Sequence, residues 1–260
     1  MRSTYPENFR SRLEKHELLI GTFVKSTDYT VAEVLSMSGL DALCFDAEHV
    51  PFDRSKLDTC LLATRAYRMP SIVRVETAMP HVILSALDMG ATAVQVPHVS
   101  SPEQAHDIAR AARYGRQGVG GRGYAGSTRA AGYGTRPMAE QLRESAAQVT
   151  VIAQIEDAQA LDVLPQLMAV DGIDAYFIGR VDLAVSMGED SPAATGVIDA
   201  MHSICSAARA AGKPLGMFVG DEKEIAVWRE QGVSLFLVGS DHSLLLRGAR
   251  QLASGSSLPA

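Results

Sequence analysis

Eight short apolar runs, separated by segments with helix start and stop signals, restrict this chain most. The runs are Leu19–Val24, Ala42–Phe45, Ser71–Val75, Ala93–Val96, Val149–Ile155, Ala175–Ile178, Pro214–Val219 and Ser234–Val238. Runs this short and continuous read as strands buried on both faces. Between them fall helix patterns: Thr30–Ser38 before Gly39, a segment capped by Asp53 and running to Tyr67, Pro80–Met89 before Gly90, Pro102–Arg113, Asp157–Val170, and Thr195–Ala211 before Gly212. Proline at the start and glycine just past the end is the usual asymmetry of helix termini. Asp221 and Glu224 have the spacing of a capping box, and Ser240 reads as the cap of a last helix. Strands alternating with helices imply a parallel sheet, and eight units favour closure into a (β/α)8 TIM barrel. No GxGxxG follows the first strand, which counts against a dinucleotide-binding sheet.

The chain's 260 residues, 47% of them hydrophobic, suffice for one large core and match the size of one such barrel. We therefore expect one domain over 1–260, with 1–17 as an N-terminal extension and 254–260 as a disordered tail. With 24 basic and 30 acidic residues the net charge is −6, a poor match for nucleic acid or an anionic membrane. No apolar run is long enough to span a bilayer, and Met1–Asn8 has no apolar signal core, so a cytoplasmic location is expected. Cys44, Cys60 and Cys205 are too few and too widely spaced for a disulfide framework or a zinc site. Cys44 reads as a small core residue.

Residues 114–148 break the rhythm. They carry Gly115, Gly118, Gly120, Gly121, Gly123, Gly126, Gly132 and Gly134, then a short helix near Met138–Ala146. A loop this long inside a compact domain is usually functional. It lacks the GK[ST] signature of a phosphate loop and reads as a mobile rim, with Arg122 and Arg129 either reaching an acidic substrate or solvated.

A TIM barrel carries its chemistry at the C-terminal ends of its strands. Strand two ends in Asp46, Glu48 and His49, strand three holds Arg74, and strand four ends in Gln95 and His98. Strand five carries Gln154 and Glu156, strand six leads through Gly179, Arg180 and Val181 to Asp182, and strand eight ends near His242. Strands one and seven offer little, and no lysine is read at a strand end, which argues against Schiff-base chemistry. Gln154 and Glu156 share one face of their strand. A glutamate facing the helices would be buried at a cost of several kcal/mol unless paired, whereas at the barrel mouth it can bind metal. Glu156 and Asp182, at equivalent ends of successive strands, are candidate oxygen ligands for Mg²⁺ or Mn²⁺. Taken alone, Asp182 reads equally well as a helix cap. His49, with Asp46 as an orienter, suits general acid–base work or merely caps the turn before Pro51. Arg74 in an apolar strand needs an anion: Glu76, Glu48, Glu156 or a substrate carboxylate.

Together these residues resemble the HpcH/HpaI family of metal-dependent pyruvate aldolases, which includes dihydroxyheptenedioate, 2-keto-3-deoxy-rhamnonate and 2-dehydro-3-deoxyglucarate aldolases. The matching segments are Phe45–Pro51, Val73-Arg74, Leu87–Ala91, Gln95–Pro97, Gln154–Glu156, Gly172–Asp174, Phe177–Gly179 with Asp182-Leu183, and Val238–Asp241. The resemblance implies a TIM barrel assembled as a hexamer (a trimer of dimers) with the last helix exchanged between neighbours. It implies Mg²⁺, Mn²⁺ or Co²⁺ on Glu156 and Asp182, Arg74 on the pyruvate carboxylate and keto oxygen, and His49 at the proton-transfer step. Gln154, Gly179 and Val181 are the further substrate contacts. Either Asp46 or Asp88, the latter from an adjacent subunit, orients the histidine. Two departures stand out: Arg180 and Val181 replace a Pro-Ala pair before Asp182, and His98 stands where relatives often carry an apolar residue.

The expected activity is reversible cleavage of a 4-hydroxy-2-oxo acid to pyruvate and an aldehyde. The alternatives are a citrate-forming condensation or acyl-CoA lyase on the same scaffold, and a non-catalytic barrel that binds small acids.

Overall fold

The computed structural model describes residues 9–115 and 120–255. All eight expected strands are present: β1 (Leu19–Val24), β2 (Ala42–Asp46), β3 (Ser71–Arg74), β4 (Ala93–Val96), β5 (Thr150–Ile155), β6 (Ala175–Ile178), β7 (Leu215–Val219) and β8 (Val233–Ser240). Each pairs in parallel with its neighbours, and β8 closes on β1. The helices are α1 (Phe9–Glu14), α2 (Tyr29–Ser36), α3 (Arg54–Ala66), α4 (Pro80–Asp88), α5 (Pro102–Ala112), α6 (Met138–Gln148), α7 (Leu164–Met168), α8 (Arg180–Ser186), α9 (Thr195–Ala210), α10 (Glu224–Glu230) and α11 (Asp241–Gly255).

Strand periodicity explains where the core and the site lie. Residues facing outward, such as Leu43, Phe45, Val73, Val94, Val151, Ala153, Tyr176, Ile178 and Phe236, pack against the helices. Inward-facing residues form a separate cluster inside the barrel: Leu19, Phe23, Ala42, Cys44, Ile72, Ala93, Ile152, Ala175, Phe177, Leu235 and Leu237. Phe9 and Leu13 of α1 join that inner cluster. Helix α1 therefore plugs the barrel at the end where the strands begin. Two residues further along the same inward rows come Asp46, Arg74, Gln95 and Gln154, all buried. A polar layer thus caps an apolar one because side chains alternate with period two.

Close approach explains Gly21. A Cβ there would lie 2.6 Å from the Ala42 carbonyl oxygen and 3.0 Å from Leu237. Gly21→Ala is expected to destabilise the protein by about 1–3 kcal/mol, the usual cost of overpacking, measured by urea unfolding.

Three details depart from the sequence reading. The segment after β5 is a 3-10 turn over Ala158–Val163 followed by the short α7, and Asp157 makes no cap hydrogen bond there. Asp221 lies before the first turn of α10, where its carboxylate accepts from the Lys223 amide while Glu224 accepts from Gly220. The expected tail at 254–260 is helical through Gly255. Residues 256–260, like 1–8 of the extension, lie outside the described residues.

Candidate active site

At the C-terminal mouth of the barrel lies a cavity of about 620 Å³. Phe23 and Phe218 form an aromatic wall, with ring centroids 5.9 Å apart. Lys25, His49, Arg74, Gln154, Gly179, Arg180, Val181 and Asp182 line the rest.

Asp46 and Arg74 are register partners on β2 and β3. The Arg74 guanidinium donates to Asp46 Oδ1 from Nη2 at 2.7 Å and from Nε at 3.1 Å. It lies 3.3 Å from Glu48 Oε2 and stacks 4.7 Å over the Phe23 ring. Its principal partner is therefore Asp46, which is not among the anions considered from the sequence. Burial pushes the Asp46 carboxyl up, but Arg74, the His49 amide and Lys25 outweigh it and hold the carboxyl below the usual aspartate range.

Asp46 Oδ1 accepts from the backbone amide of His49 at 3.2 Å, not from its ring. The ring Nε2 instead lies 3.6 Å from Glu48 Oε2 and is half exposed. Asp88 forms an ion pair with Arg122 at 2.7 Å in its own chain. Within one chain neither aspartate contacts the His49 ring.

Glu156 sits one residue beyond β5 and is 1% exposed. Its position follows from a hydrogen-bonded row: Gln95 donates to the Gln154 amide oxygen, and the Gln154 amide nitrogen donates to Glu156 Oε2. Glu156 Oε1 accepts from the His98 amide at 2.8 Å. Gly179 makes room for this carboxylate: a Cβ there would lie 2.8 Å from Glu156 Cβ and closer still to Oε2. Burial raises the Glu156 pKa above the usual carboxyl value, with Gln154, the His98 amide and the His98 ring pulling the other way. A buried acid of this kind is stabilised by a cation.

Glu48, His98 and Glu156 each offer a ligand atom, all within 4.8 Å of one another. Glu48 Oε2 is buried without a hydrogen bond. This donor set of two carboxylates and an imidazole suits a divalent cation. Asp182 is outside that trio. It stands half-buried in the first turn of α8, on the wall of the same cavity as Gln154 and Gly179.

Sequence reasoning gave His98 no role beyond a possible substrate contact and considered Glu48 only as an anion for Arg74. It also missed Lys25, the first residue after β1. A lysine does stand at a strand end, with Nζ 3.1 Å from Asp46 Oδ2. The signal was its position immediately beyond an apolar run.

Arg180 does not leave a bare charge at the mouth, because both its terminal nitrogens are held by Glu224. Arg122 and Arg129 are buried and line no part of the cavity. Arg122 pairs with Asp88 and stacks on Tyr114, while Arg129 holds Asp58 and the carbonyl of Met89. They tie the glycine-rich segment to α3 and α4 and are neither solvated nor at the mouth. The thiols of Cys44, Cys60 and Cys205 are buried, and burial raises all three pKa values, to about 11 for Cys60 and Cys205. None is an activated nucleophile.

The sequence profile of the HpcH/HpaI aldolase/citrate lyase family matches residues 19–248. The chain belongs to the HpcH/HpaI aldolase/citrate lyase family. It is 33% identical over 244 residues to a hydroxypyruvate/pyruvate aldolase of Roseovarius nubinhibens, covering 94% of each chain. It is 32% identical over 250 residues to a 5-keto-4-deoxy-D-glucarate aldolase of Escherichia fergusonii, covering 96% of each. A crystal structure of an HpcH/HpaI aldolase/citrate lyase family protein from Burkholderia cenocepacia superposes with a TM-score of 0.90 at 35% identity, covering 95% of this chain and 97% of that one. The match spans every strand of the barrel.

Proposed function

We propose that this HpcH/HpaI protein is a metal-dependent aldolase that reversibly cleaves a 4-hydroxy-2-oxo acid to pyruvate and an aldehyde. One observation carries this reading: Arg74, His49, Gln154 and Asp182 converge on one cavity, with the buried Glu156 packed against Gly179, one of its lining residues. The similarity to proteins named hydroxypyruvate/pyruvate aldolase and 5-keto-4-deoxy-D-glucarate aldolase supports it.

In this mechanism Arg74 binds the carboxylate and keto oxygen of the 2-oxo acid through its planar fork. Asp46, gripping the same guanidinium, keeps it aimed into the mouth. Gln154 and the backbone of Gly179 and Val181 orient the acid. His49, directly or through a water, takes the proton of the 4-hydroxyl as the C3–C4 bond breaks and the aldehyde leaves. The electron pair passes toward the 2-oxo oxygen, where Arg74 stabilises the developing charge. Glu156 and Asp182 are the residues we assign to a divalent cation (Mg²⁺, Mn²⁺ or Co²⁺), which when bound acts as a Lewis acid toward the oxo acid. Lys25 Nζ lies 3.1 Å from Asp46 Oδ2, so the amine is engaged in an ion pair and Schiff-base chemistry gains no support.

The assembly we propose is a hexamer, a trimer of dimers that exchanges α11 and brings Asp88 to a neighbour's His49. The exposed Leu245 and Leu246 on α11 support it. Three unpaired cysteines fit the cytoplasm. Among the described residues no helix is long and apolar enough to cross a membrane.

A screen of 4-hydroxy-2-oxo acids, with pyruvate detected with and without chelator, tests the reading. The expected result is aldehyde and pyruvate in equal amounts, lost on chelation and restored by added metal. Release of CoA from an acyl thioester instead, or turnover indifferent to chelator, would reject it.

A further inference from the structure

We propose that His98 is itself a metal ligand through Nε2, acting with Glu156 and Glu48, and that its imidazole biases the site toward Zn²⁺ or Co²⁺ over Mg²⁺. This rests on the metal-dependent reading above, shares Glu156 with it, and adds two ligands, His98 and Glu48, and a selectivity.

The backbone first places the exposed ring beside Glu156. His98 follows β4 with φ of +56°, a left-handed conformation uncommon for non-glycine residues. The turn is held on both sides: the His98 amide donates to Glu156 Oε1 at 2.8 Å, and the Val99 amide donates to the Gln154 carbonyl at 3.0 Å. The same residue that departs from the family pattern is thus locked against the buried Glu156.

The ring is then oriented for ligation. Asp157 Oδ2 lies 3.2 Å from Nδ1, so the carboxylate stands behind that nitrogen and Nε2 is the ring nitrogen turned away from it. A carboxylate behind the far ring nitrogen is the arrangement that metal-binding histidines use. Nε2 lies 3.6 Å from Glu48 Oε1, and Nδ1 lies 3.6 Å from Glu156 Oε1. The Nε2–Glu48 separation is too long for a hydrogen bond but suits two donor atoms around one ion, and Glu48, His98 and Glu156 can each bring a ligand atom within 4.8 Å of the others. Glu48 Oε2 accepts no hydrogen bond and faces Arg74 at 3.3 Å, which leaves Oε1 as the oxygen on the His98 side.

Ligand chemistry gives the selectivity. Mg²⁺ takes oxygen ligands and keeps much of its water, whereas imidazole suits Zn²⁺ and Co²⁺. The opposing explanation is that His98 is a counter-ion that, as imidazolium, neutralises Glu48, Glu156 and Asp157. The two explanations predict opposite signs. Removing a ligand weakens transition-metal binding, whereas removing a competing cation leaves it unchanged or tightens it.

The experiment uses the full-length protein freed of metal by chelator. Co²⁺, Zn²⁺ and Mg²⁺ affinities are measured by competition titration for wild type, His98→Asn and Glu156→Gln, and Mn²⁺-loaded samples are read by pulsed EPR for a bound nitrogen. Asparagine tolerates the left-handed backbone, so His98→Asn should fold, and His98→Gly serves if it does not. The expected result is a loss of about 10–100-fold in Co²⁺ and Zn²⁺ affinity with Mg²⁺ little changed, and disappearance of the nitrogen coupling. Unchanged or tighter Co²⁺ binding, or no nitrogen coupling in wild type, would overturn the assignment. If Glu156→Gln loses every ion while His98→Asn loses none, only the role of His98 falls. If wild type binds no divalent ion, the metal-dependent function falls with it.

Discussion

Glu156→Ala is expected to lower kcat/KM for retro-aldol cleavage by at least about 10²–10³-fold, the range for removing a group that stabilises developing charge. Added metal should not restore it. Glu156 is almost fully buried, and three separate contacts hold it there: the Gln154 amide, the His98 backbone and the opening at Gly179. Glu156→Gln keeps the volume and the contact with the His98 amide but removes the charge, so the same loss there separates charge from shape. Gly179→Ala supplies an independent check, since it alters no candidate ligand. Its added methyl would meet Glu156 Cβ at 2.8 Å, so Glu156 must shift and metal affinity should fall. Isothermal calorimetry with Mn²⁺ and a pyruvate-coupled assay measure both effects. Wild-type turnover in Glu156→Ala would end the metal assignment.

Asp46→Asn is expected to destabilise the fold by about 3–5 kcal/mol at neutral pH, the range for breaking a buried ion pair by removing one partner. Asp46 is 0% exposed and faces both Arg74 and Lys25. Neutralising it leaves two cations against one remaining neighbour, Glu48. Because Asp46 has a depressed pKa in the folded state, its contribution is fully present above the unfolded aspartate value of about 3.9 and is lost as the pH falls through the folded pKa. Urea unfolding of wild type and variant should therefore show a gap that is constant from pH 7 to about 5 and narrows below about pH 4. A gap independent of pH down to 3 would mean that the carboxylate's charge is not what the fold uses. Activity should fall too, because Arg74 loses the partner that aims it.

The glycine-rich segment shows why arginines are poorly read from sequence. A solvated arginine and one buried against Asp88 look alike in a string of residues, because the partner lies 34 positions away. The same holds for Arg113, which reaches Asp174 and the Val149 carbonyl across the barrel wall. Lys25 escaped notice for a simpler reason: one polar residue after an apolar run reads as the end of a strand.

What the chain's own order of residues determined was the barrel and the level of its polar layer. Period two along each strand places Asp46, Arg74, Gln95, Gln154 and Glu156 on inward rows above an apolar plug, whatever the loops do. Only the closed barrel decided who meets whom. Closure puts β2 beside β3 and β5 beside β6, so Asp46 rather than Glu76 takes Arg74, and Glu156 slides past Gly179. A left-handed turn at His98 brings in a ring that no spacing rule would have brought there. Alternation is a local property of the backbone and is written in sequence. Ion pairing depends on distances across the barrel, and those exist only after the sheet has closed.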